Sequence, residues 1–188
     1  MPHAVLVAAL LLSPHALAQD AAADAEQARR LAEMCAKADC QRNLRVTVKN
    51  SIGFKFDESF ELFPPIVQPF GFMVVAGQAV HVEADIVDGK LANLVAVDTV
   101  ANPGKTITAK LEQVDGGGMM LTVSNPFPQI LKFNMGIVPL EQDDLYKTSS
   151  CPVIAGGQSM ELWPDPLFQV ALANGHVLAP SDNMACVD

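Results

Sequence analysis

Asp88-Gly89 stands between two runs of residues that fit one another when the chain folds back on itself. A two-residue Asp-Gly loop favours a type I′ turn, with positive φ at both positions, and such a turn sets the register of its flanking strands. Folding there places Val87 against Lys90, Ile86 against Leu91, Val82 against Val95 and Val80 against Val97. Side chains alternate along a strand, so Val80, Val82, Ala84 and Ile86 share one face with Leu91, Val95 and Val97, while His81, Glu83 and Asp85 face the other way. Asn93 is the polar residue that this register sends to the apolar face. Ala92, Leu94 and Ala96 form an outward apolar row that asks for a cover. A lone hairpin is marginal in water, so the rest of the chain must supply further strands.

It does, by the same alternation. Leu44, Val46 and Val48 alternate with Arg45, Thr47 and Lys49; a turn at Asn50 to Gly53 precedes Phe54, Phe56, Phe60 and Leu62. Phe72 to Val75 reads as a short buried strand. Asn102-Pro103-Gly104 and Asp115 to Gly118 are turns around Ile107, Ala109 and Leu111 on one side and Met119, Leu121 and Val123 on the other. Asn125-Pro126-Phe127-Pro128 breaks the pattern, Leu131, Phe133, Met135 and Ile137 resume it, and Glu141 to Asp144 is an acidic loop. Phe168, Val170 and Leu172 make a late strand, with a separate ninth at His176 to Leu178. Short strands at close spacing with no helical pattern between them predict an all-β fold, an antiparallel β-sandwich. It is immunoglobulin-like in architecture only, since Cys, Trp and Tyr do not fall in the antibody order.

The N-terminal residues read differently. Ala4 to Leu12 is apolar and Ala16-Leu17-Ala18 has the small-x-small form of an export cleavage site, so residues 1–18 are expected to be a signal peptide. Residues 19–43 form an N-terminal helical segment: Ala21 to Ala38 is rich in Ala, Glu, Gln, Arg and Leu, and Leu31, Met34 and Cys35 share a face. Residues 44–188 form the sandwich domain. The chain carries 12 basic and 21 acidic residues, a formal charge of −9, which opposes nucleic acid or an anionic membrane as a partner. No run approaches the roughly 20 apolar residues needed to span a bilayer.

Four cysteines in a chain bound for export read as two disulfides, paired Cys35 with Cys40 and Cys151 with Cys186. Two other pairings can be drawn. The first pair requires the helix to end near Lys37, because a continuous helix carries these positions too far apart. A zinc site is disfavoured: Cys35 and Cys40 lack CxxC spacing and no His follows at ligand distance.

Chemistry-bearing residues are few. Gly157-Gln158-Ser159-Met160-Glu161 begins like a nucleophile elbow, but Glu stands where its second Gly belongs. Ser149 and Ser150 precede a cysteine, with His81 and His176 the bases left in the mature chain. Asp57, Glu58 and Glu61 are the candidate carboxylates for glycoside hydrolysis, beside Phe56 and Phe60. Asp143-Asp144 and Asp182-Asn183 lack the spaced ligands of a calcium loop. Met73, Met119, Met120, Met135, Met160 and Met184, with His81 and His176, carry a copper alternative, though no Met-x-x-Met run gathers them. The apolar, proline-stiffened connector Phe63 to Phe70 supplies the candidate partner contact, through Phe63, Ile66, Val67 and Phe70, against the plainer reading that it caps the core. The resulting expectation is an exported, periplasmic or extracellular, non-enzymatic module without a cofactor, binding another envelope or secreted protein or serving a structural role. A Met/His metal binder and a secreted hydrolase are the alternatives.

Overall fold

The computed structural model describes residues 14–49, 52–53, 55–140, 142–179, 181–182 and 184–187, with side chains from residue 25 onward. The chain divides into two compact units, Met1–Asp39 and Cys40–Asp188. In the first, α1 spans Pro14–Cys35. It begins upstream of the helix predicted from Ala21, and Pro14 suits the first turn, where a missing N–H leaves nothing unpaired. Glu26 pairs with Arg29 at 2.8 Å and Arg30 at 2.9 Å, and Arg29 with Glu33 at 2.8 Å, exposed pairs that solvent screens. Leu31 and Cys35 are half-buried but Met34 is exposed, so the predicted apolar stripe is narrower than its spacing suggests. Most of the expected signal segment lies outside the described residues.

The second unit holds β1 (Gln41–Lys49), β2 (Lys55–Phe63), β3 (Val67–Gln68), β4 (Gly71–Val75), β5 (Ala79–Val87), β6 (Lys90–Val97), β7 (Thr106–Gln113), β8 (Met119–Ser124), β9 (Leu131–Pro139), β10 (Tyr146–Thr148), β11 (Gln158–Trp163) and β12 (Leu167–Val177). Among the described residues every pairing is antiparallel and the sheet does not close: its strands run β10-β9-β12-β6-β5-β7-β8-β11, with β4 and β3 beside β12. β12 meets β6 only where His176 pairs with Lys90, which makes a corner between two layers. One layer is β10, β9, β12, β4 and β3; the other is β6, β5, β7, β8 and β11. Across the gap, a Cβ built on Gly175 of β12 would lie 2.4 Å from Leu91 of β6, and within its own layer 2.8 Å from Phe133 of β9. This is the predicted antiparallel β-sandwich with one helix before it.

The hairpin β1–β2 is a sheet of its own. Leu44, Val46 and Val48 are buried, Phe56, Phe60 and Phe63 set their rings 6.1, 5.7 and 5.9 Å from Phe168 of β12, and the Lys49 N–H donates to Gln113 Oε1 of β7 at 2.9 Å. The three ring contacts reach one layer and the hydrogen bond the other, so the hairpin closes a side of the sandwich. The turn predicted at Asn50 to Gly53 lies largely outside the described residues, as does Phe54.

Asp88 (φ 50) and Gly89 (φ 73) form the predicted positive-φ turn, and Val87↔Lys90 and Ile86↔Leu91 pair as expected. Beyond them the register changes. Asp85 pairs with Ala92 but Glu83 pairs with Val95, so Asn93 and Leu94 together oppose Ala84 in a β-bulge. Asn93 takes φ 53 and donates to Asp85 Oδ2 at 2.9 Å, which removes the buried polar residue that a regular ladder would have required. The bulge turns Leu94 toward the core and leaves Val95, which the regular register buries, 55% exposed.

A second bulge reorders β12. A register shift between Leu167 and Gln169 brings Leu167, not Phe168, into line with the buried Val170 and Leu172, and frees Phe168 to meet the β2 aromatic rings. A third irregularity at Asn174 (φ 51) lets the strand continue to Val177, so the separate ninth strand expected at His176 is the end of β12. The break at Asn125 has a polar centre: its buried amide donates to the carbonyls of Gln129 (2.7 Å), Val153 (3.0 Å) and Ile154 (3.2 Å) and accepts from Phe127 N.

Cys151 and Cys186 are joined by a disulfide. Cys35 and Cys40 are also disulfide-bonded, so two disulfides account for all four cysteines, the mark of an oxidising compartment. Among the described residues no helix is long and apolar enough to cross a membrane.

Candidate functional site

The connector Phe63 to Phe70 separates into a buried part and a displayed part. Phe63 is buried in the core, and Ile66 and Val67, half-exposed, pack against it. Phe70 is 75% exposed. Capping and display are therefore divided between residues that the sequence grouped together. The display is rigid: Val67 and Gln68 pair with Phe72 and Gly71, the Asn174 N–H donates to Phe70 O at 2.7 Å, and Met73 N donates to Ile66 O at 3.0 Å. Gln68 Nε2 also donates to Pro65 O at 2.6 Å. Gly71 is required beside the tip, because a Cβ there would come 2.0 Å from Leu172 O. An exposed Phe forgoes about 2 kcal/mol of burial, which a partner covering it would recover.

A cleft of about 340 Å³ lies on the outer face of β9 and the end of β12 and is lined by Lys132, Lys147, Ser150, His176 and Asp182. It brings a serine, a histidine and an aspartate to one place, but each engages the backbone instead of the others. Ser150, 2% exposed, donates its hydroxyl to Phe133 O at 2.6 Å. His176 Nδ1 lies 2.9 Å from Asn174 O, which only accepts, so that nitrogen carries the proton. Asp182 accepts from Ala179 N at 2.6 Å. A nucleophile needs its proton directed at a base. Lys132 donates to the carbonyls of Ser150 and Val187, binding the C-terminal residues to β9, so the cleft is a seat for that tail.

The remaining candidates disperse. Ser159 is buried on β11 opposite Val123. Asp57 and Glu58 point to opposite faces of β2, and Asp57 and Glu61 are separated by roughly 13 Å of strand, beyond the carboxylate spacing of either glycosidase mechanism. Asp57 accepts from Arg45 at 2.8 Å, Lys55 at 2.5 Å and Thr47 at 3.0 Å, and these bonds hold its carboxyl well below the usual range, keeping it ionised. Asp143 and Asp144 are exposed, and Asn183 lies outside the described residues. Met119 and Met135 are core residues, while Met160 and Met184 are exposed on separate segments. His81 Nδ1 lies 2.9 Å from Thr108 Oγ1. Among the described residues no three His, Cys, Asp or Glu side chains converge.

One surface escapes sequence reasoning altogether. Met160 and Leu162 on β11 are exposed and adjoin the half-buried Met120, opposite Leu162 on β8, in one apolar strip. Its only signal is the alternation Ser159-Met160-Glu161-Leu162, whose apolar phase would ordinarily be placed inside. Comparison of the chain with family models, with curated proteins and with solved structures finds no match.

Proposed function

We propose that the chain is exported by a signal peptide at residues 1–18 and acts in the periplasm or outside the cell as a non-enzymatic module that binds another protein through the β3–β4 tip. The exposure of Phe70 on a backbone held from both sides carries this reading. A large aromatic side chain displayed rigidly pays little ordering entropy on contact, which is how a hot-spot residue acts. The two disulfides fit an oxidising compartment, and the net charge of −9 fits a protein partner better than a nucleic acid or an anionic bilayer. A photoreactive phenylalanine analogue at position 70, used in the producing cell, should give a discrete adduct with one protein, and the same probe at the exposed Val95 of β6 should not. Binding of the purified adduct partner should then weaken at least tenfold with Phe70→Ala at unchanged melting temperature. Equal adducts from both positions, or unchanged affinity, would reject the reading.

A further inference from the structure

β11 ends the strand order, and among the described residues no strand pairs with its outer side. Its partners on β8 run from Gln158↔Ser124 to Trp163↔Met119, and Asn125 N donates to Gly157 O at 2.9 Å. Hydrogen-bonded positions alternate in an antiparallel pair, so Ser159, Glu161 and Trp163 direct their backbone groups to β8, and those of Gln158, Met160 and Leu162 point away from the sheet. The same residues put their side chains on the outer face, where Met160 is 62% and Leu162 66% exposed. Edge strands are ordinarily protected by charge, proline or a bulge. β11 carries no charge, proline or bulge on its outer side, and its one inward-pointing charge, Glu161, is already engaged by the Cys151 N–H.

We propose that β11 is the seat of a two-fold dimer, pairing antiparallel with β11 of a second copy so that Met160 opposes Met160 and Gln158 opposes Leu162. Self-complementarity favours this occupant. The register makes three hydrogen-bonded pairs, about six bonds in all. Centring on Glu161 would set Gln158 against Pro164, which has no N–H, and centring on Ser159 would set Leu162 against Gly156, which lies in a turn at φ 63. Charge favours it too. Two chains of net charge −9 repel, but Gln158, Met160, Leu162, Met120, Thr122 and Ser124 carry no ionisable group, and the neighbouring Lys110 is paired with Glu112 at 2.6 Å. A six-residue strand is about 20 Å long and buries a small interface, so the dimer is weak, with Kd on the order of micromolar or above. Phe70 lies on neither β8 nor β11, and this proposal stands apart from the partner reading.

Sedimentation of the chain from about 1 µM to about 1 mM should show a monomer–dimer equilibrium. Met160→Lys and Met160→Glu should each be monomeric, because the register opposes like charges, and their equimolar mixture should dimerise again. As a second readout, Met160→Cys should form an intermolecular disulfide on oxidation, since opposed hydrogen-bonded positions lie about 5.5 Å apart between Cα atoms, within disulfide reach; Val95→Cys, exposed on β6, should not. A wild type that stays monomeric at about 1 mM, or variants that stay dimeric alone, or a mixture that stays monomeric, would overturn the proposal.

Discussion

The hairpins β5–β6 and β7–β8 are neighbours in the same layer, yet only one of them is a regular ladder. β7 and β8 pair without interruption from Thr108↔Ser124 to Gln113↔Met119, and Ile107, Ala109, Leu111, Met119, Leu121 and Val123 all point into the core. β5 and β6 begin from the stronger turn but hold the predicted register for only three pairs before Asn93 intervenes. A turn fixes phase locally. Whether that phase persists depends on whether every residue it sends inward can be buried, and Asn93, tolerant of positive φ, could leave. The regular strand has no such residue.

Deletions should break the comparison most visibly. Removing Thr122 from β8 turns Val123 outward and Ser124 inward, with a loss on the order of the whole stability of a domain, read as loss of cooperative unfolding. Removing Asn93 takes out only the extra residue and leaves Leu94 opposite Ala84, so the fold should persist with a change under about 1 kcal/mol by denaturant titration. If both deletions are equally damaging, the bulge is not an independent feature of β6.

Truncations should follow the same order at smaller scale. Leu121→Ala should cost about 2 to 5 kcal/mol, because the fully buried site leaves a cavity, whereas Leu94→Ala, half-buried behind the bulge, should cost about 1 kcal/mol. Level with Leu94 stands the bulge residue itself: Asn93→Ala, forced to φ 53, should cost about 1 kcal/mol, and Asn93→Gly should be close to neutral.

The smallest difference should appear with acid. Glu83, beside the bulge, accepts from Asn102 at 2.6 Å and pairs with Lys105 at 3.0 Å, which lowers its carboxyl pKa from the ordinary 4.5. A depressed carboxyl stabilises fully above its unfolded pKa and loses that contribution as the pH falls through its folded value. Amide exchange should therefore loosen in β5–β6 before β7–β8 as the pH drops below 4.5, and Glu83→Gln should abolish the difference.

The connector and β11 show where sequence reasoning stopped. Phe63, Ile66, Val67 and Phe70 are equally apolar in sequence, and nothing local distinguishes the one that the Asn174 amide holds at the tip. For β11, the pattern reads as ordinary alternation, but the turn at Gly156 and the pairing with β8 put its apolar phase in water. The serine, histidine and aspartate of the cleft lie up to 32 residues apart, and their shared location follows from β9, β12 and the Cys151–Cys186 link.

Side-chain alternation, turn chemistry and an even set of cysteines by themselves determined that this chain is an antiparallel β-sandwich with two disulfides, because burial on a pleated strand has a period of two and positive φ belongs to few residues. Tertiary structure alone decided the bulges at Asn93 and Asn174, the choice of Leu167 over Phe168 for the core, and which apolar residues stay outside. These depend on what lies across the sheet or the layer, and a strand's neighbours there come from distant parts of the chain.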